Sequence, residues 1–71
     1  MKTNIRTLRK IARRLGFSVY QQGQQWILSH REETPLHYSV TTERAALLVG
    51  LGNADGYGSL TAEESKQVAN A

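Results

Sequence analysis

The stretch Phe17-Ser-Val-Tyr-Gln-Gln-Gly-Gln-Gln-Trp-Ile-Leu-Ser-His30 decides the fold. Aromatic and β-branched residues fill its two halves and a glycine sits between them, the pattern of a tight two-residue hairpin. With Gln22 and Gly23 as the turn residues, Val19 faces Trp26 and Phe17 faces Leu28. Phe17, Val19, Trp26 and Leu28 then share an apolar face, with Tyr20 and Ile27 on the other. Residues 31–36, with Thr34-Pro35, read as a loop, and residues 37–41 as a third strand. Pairing His30 with His37 places Tyr38 and Val40 on the face of Tyr20 and Ile27.

Upstream, residues 4–15 predict an amphipathic helix. Ile5, Leu8, Ile11, Ala12 and Leu15 recur at three- and four-residue spacing and fill an arc of about 120°. Lys2, Arg6, Arg9, Lys10, Arg13 and Arg14 fill a separate arc of about 140°. Thr3 or Asn4 can cap the start, and Gly16 can take the left-handed conformation that ends it.

Downstream, residues 42–51 predict a second helix, capped by Thr41 or Thr42 and closed by Gly50 and Gly52. Ala45, Ala46, Leu47, Leu48, Val49 and Leu51 run almost all the way round it. Such a helix must be covered on every side. Either the sheet and the C-terminal segment clasp it, or Leu47, Leu48 and Leu51 form a homodimer interface. Residues 53–60 read as a glycine-rich loop. Thr61 and Glu64 form a capping box that opens a last short helix, with little beyond Val68 to bury and therefore prone to fray.

The expected architecture is thus a small single α+β domain spanning residues 1–71. Its order is α-β-β-β-α plus a short C-terminal helix, with the helices packed on one face of a three-stranded antiparallel meander. This order resembles that of double-stranded-RNA-binding domains, whose basic cluster opens the second helix. Here that place reads Thr42-Glu-Arg-Ala, so the likeness is one of topology and carries no function.

Charge is unevenly spread along the 71 residues. The first 16 hold six cations and no acid, whereas the rest hold three cations against six acids. An acid-free basic face suits phosphate contacts, with Lys2, Arg6, Arg9, Lys10, Arg13 and Arg14 as candidates. Tyr20 and Tyr38 are candidates for stacking on unpaired bases. The same arc also suits an anionic membrane surface, an acidic protein surface, or simply a solvated helix face. There is no cysteine, so no disulfide or thiolate chemistry is available. No apolar run is long enough to span a membrane or serve as a secretory signal, and a cytoplasmic protein is expected.

The segment Asn53-Ala-Asp-Gly-Tyr-Gly-Ser-Leu-Thr-Ala-Glu-Glu64 resembles the twelve-residue calcium loop of the EF-hand family, which dockerin modules share. The resemblance implies Asn53, Asp55, the Ser59 carbonyl and Glu64 as ligands. Asn stands where the family has Asp, and Tyr57 occupies a ligand position. A glycine turn followed by a capping box accounts for the same residues, so no metal or other cofactor is expected. His30 and His37 lack the further ligands that zinc requires. No nucleophile is placed beside a base, and no phosphate-binding glycine loop opens a helix. The expectation is a non-enzymatic module that contacts nucleic acid through its basic helix. The alternative is an adaptor, monomeric or homodimeric, for an acidic partner.

Overall fold

A computed structural model describes residues 2–71, with the side chains of residues 33–39 excepted. The chain runs α1 (Ile5–Arg14), β1 (Phe17–Gln22), β2 (Gln25–His30), β3 (Glu33–Val40), α2 (Glu43–Gly56) and α3 (Ala62–Ala69).

The expected regular three-stranded meander is not what forms. The regular sheet is two-stranded and antiparallel: β1 and β2 pair without a break from Phe17 opposite His30 to Gln22 opposite Gln25. β3 follows the outer edge of β2 irregularly. Glu33 lies opposite His30 but Tyr38 opposite Leu28, so two steps along β2 match five along β3. Pro35 falls within that extra length and has no N–H to donate to a ladder, which confines it to an edge or a bulge. The architecture is therefore a small α+β fold of three helices on a two-stranded antiparallel sheet, with β3 as its irregular margin.

The hairpin register also differs from expectation. Val19 faces Leu28 and Gln21 faces Trp26, so the turn residues are Gly23 and Gln24. Gly23 has φ +64°, and no described non-glycine residue has positive φ. That fits a type II′ turn, in which glycine must come first. Moving the turn by one residue changes each partner by two, so Val19 and Leu28 still share a face. Leu28 is fully buried and takes the centre, whereas Trp26 is only half-buried. Val40 now stands opposite Trp26, not on the face of Ile27. The expected loop at 31–36 shrinks to a turn at Arg31 and Glu32. The Nδ1 of His30 accepts the Glu32 N–H there, while Nε2 lies 2.8 Å from the Leu15 carbonyl. This pairing requires the proton on Nε2.

α2 runs straight through Gly50 and Gly52 to Gly56. Each glycine weakens a helix interior by about 1 kcal/mol, but Leu51 and Ala54 are buried beyond them. Gly50 is where the helix meets the sheet: a Cβ there would lie 3.1 Å from a Leu28 methyl and 3.2 Å from the Phe17 ring. α2 touches every other element, which resolves its all-round apolar pattern within one chain. The core joins Leu8, Ile11 and Ala12 of α1 to Leu47 and Leu51 of α2, with Phe17, Val19, Leu60 and Val68 packed against it.

The end of α3 is tied rather than left free. Thr3 donates its N–H to the Asn70 carbonyl at 3.1 Å and its hydroxyl to the Gln67 carbonyl, while its own carbonyl accepts from Arg44 at 2.8 Å. A buried threonine with these groups satisfied holds the start of α1 against α2 and the end of α3.

Candidate nucleic-acid interface

α1 begins where the side chain of Asn4 accepts the Arg6 N–H at 2.8 Å. It ends at Leu15, followed by Gly16 at φ +88°. The apolar stripe faces the core, so the basic arc must face outward. Arg6, Arg9, Lys10, Arg13 and Arg14 are all exposed, as is Lys2 just before the cap.

The tertiary structure divides this arc. At 100° per residue, Arg9 and Arg14 are its two edges within the helix, with Arg13, Arg6 and Lys10 between them. Each edge meets an acid from a neighbouring helix. Arg9 donates through Nε and Nη2 to the two oxygens of Glu43 in α2, at 2.7 and 2.6 Å. Arg14 grips Glu64 in α3 in the same forked manner, with Nε to Oε2 at 2.7 Å and Nη2 to Oε1. These hydrogen bonds raise both guanidinium pKa values and hold both carboxyls below the ordinary glutamate value, a backbone N–H from Thr61 helping at Glu64. A forked arginine is fixed in direction and its charge is locally compensated.

Arg6, Lys10 and Arg13 have no acidic partner among the described residues. They sit at i, i+4 and i+7, so they rise along the helix by about 6 and 10.5 Å. The result is one exposed ridge of three cations, extended toward the N-terminus by Lys2.

The other sequence candidates are dispersed. Tyr20 is 44% exposed and stands opposite Ile27, whereas its neighbour Val19 packs on the core. Alternation along the strand therefore points Tyr20 away from the helices, so it does not share a surface with the basic ridge. The side chains of His37 and Tyr38 lie outside the described residues. Leu47 and Leu51 are 2% and 0% exposed, and Leu48 packs against the same core. These burials give no support to the expected homodimer interface at Leu47, Leu48 and Leu51, of which Leu48 is half-buried.

The twelve residues of the calcium-loop resemblance do not form one loop, because α2 continues to Gly56. Asn53 and Asp55 lie inside α2, and residues two apart on a helix do not face each other. Asp55 accepts a hydrogen bond from Ser65 at 2.5 Å. The Arg14 guanidinium bonds both Glu64 and, at 3.2 Å, the Ser59 carbonyl. A built-in cation thus holds two of the four ligands that the resemblance implied. No cluster of three or more metal-binding side chains occurs among the described residues.

Sequence reading missed Glu43 and Glu64 as partners that select which cations remain free. The signal was the charge split itself, since an acid-rich body folded against a basic helix brings opposite charges together. No helix among the described residues is long and apolar enough to cross a membrane. No protein-family model, curated protein or solved structure matches this chain.

Proposed function

We propose that this chain is a non-enzymatic module that binds nucleic acid, with Arg6, Lys10 and Arg13 contacting phosphates and Lys2 extending the track. One observation carries the reading: these cations are exposed and have no acidic partner among the described residues, while Arg9 and Arg14 beside them are paired with glutamates. Phosphate tracks require mobile or unspent charge, because binding gains from counterions released as phosphates are neutralised. A forked guanidinium must first give up its carboxylate.

The test is affinity against salt. On a single strand, three to four contacts give a log–log slope of about −2.1 to −2.8, whereas all six cations would give about −4.2. The double substitution Arg6→Glu and Arg13→Glu should abolish binding. Affinity unchanged by that variant overturns the reading. Saturable binding of a Glu-rich peptide with no binding of nucleic acid would reassign the ridge to an acidic protein partner.

A further inference from the structure

An open groove of about 290 Å³ lies between α1, β1 and the start of α2. Ala12, Phe17, Val19 and Leu47 supply its apolar lining, and Arg13, Ser18 and the Arg9–Glu43 pair its polar one. Leu47 and Ala12 are core residues, whereas Phe17 and Val19 are only half-buried. A flat ring entering the groove would therefore cover apolar surface that the fold leaves partly wet. The volume lies near the lower limit of small-molecule sites, about 300 Å³, and suits a single ring system.

We propose that this groove receives one unpaired base of a single nucleic-acid strand whose phosphates lie on Arg13, Arg6 and Lys10. The proposal rests on the phosphate reading above and narrows its substrate class to single strands. Three features converge on that occupant. Arg13 belongs to both the groove and the ridge, so a base in the groove lies beside a cation that continues into the phosphate track. The apolar lining suits the face of a base, which needs no hydrogen bond. Glu43 is held ionised by Arg9, and each carboxylate oxygen retains a lone pair for a base amino or ring N–H group. A duplex cannot offer such a base without unstacking it first.

The experiment compares three probes on the unmodified chain at low salt: a single-stranded decanucleotide, an abasic decamer with the same number of phosphates, and a hairpin duplex. Stacking of one base predicts roughly tenfold tighter binding of the strand than of the abasic decamer, while the duplex, whatever its charge-driven affinity, should leave the Phe17 and Val19 amides unshifted. Val19→Met narrows the groove without changing charge or adding a ring on which a base could stack, and should reduce the roughly tenfold ratio toward one. Amide shifts at Phe17 and Val19 should appear with the strand and be absent with the abasic probe. These shifts and the wild-type comparison stand even if the variant fails to fold. Equal affinity for the strand and the abasic decamer overturns the groove but leaves the ridge. Failure of every probe to bind overturns both.

Discussion

Arg9 and Arg13 belong to the same helix, lie on the same basic arc and are both exposed, yet only one is free. Arg9 stands at the edge of the arc, where α2 comes alongside and brings Glu43. Arg13 stands nearer the middle and, although it shares the groove with Glu43, pairs with no acid among the described residues. Arg14, at the opposite edge, repeats the fate of Arg9 through α3 and Glu64. Position on the wheel relative to neighbouring helices, more than residue type, decides which cations remain for a partner. A count of six basic residues therefore overstates the working charge.

The sharpest way to break this comparison is to reverse the free charges. Arg6→Glu with Arg13→Glu should weaken nucleic-acid binding by about a hundredfold or more, read by fluorescence anisotropy at fixed salt. If the matched pair Arg9→Glu with Arg14→Glu has the larger effect on binding in a chain that stays folded, the division of the arc is wrong. The converse change removes the clamps. Glu43→Gln with Glu64→Gln should release Arg9 and Arg14 and steepen the single-strand salt slope by about 1.4. An unchanged slope would show that these arginines cannot reach a phosphate even when free.

A third, smaller effect concerns acid. Glu43 and Glu64 have folded pKa values below the ordinary 4.5. Their contribution to stability is complete above that value and is lost as pH falls through the lower, folded values. The melting temperature should therefore lose this contribution only below about pH 4.5, and by less in the double Gln variant. Both pairs are exposed enough for salt to screen them, so the difference should shrink at high ionic strength. An equal acid-induced fall in both proteins would deny the clamps any part in stability. The smallest change should come from Arg9→Gln alone. It should alter affinity by less than about twofold, because the residue's charge is already matched, and lower the melting temperature slightly. A tenfold loss of affinity would place Arg9 among the contacts.

How far the sequence could be read depended on the range of each interaction. The α1 cap at Asn4, the left-handed Gly16 and the capping box of Thr61 and Glu64 involve residues at most three or four apart, and all were legible. The hairpin was legible as a hairpin, but its turn moved by one residue because only Gly23 adopts positive φ. The extent of α2 was not legible. Glycines at 50 and 52 look like a helix end until Leu28 and Phe17 are seen pressing on Gly50. Nor could the meander be read correctly, since the slip between Leu28 and His30 is set by pairing along the edge of β2.

By itself, the sequence determined that a basic, acid-free arc would face outward from α1, because helical periodicity separates it from the apolar stripe. Only the tertiary structure decided which cations within that arc stay free. The acids that neutralise Arg9 and Arg14 lie 34 and 50 residues away in the chain. Helix packing must first bring their carboxylates within hydrogen-bonding distance.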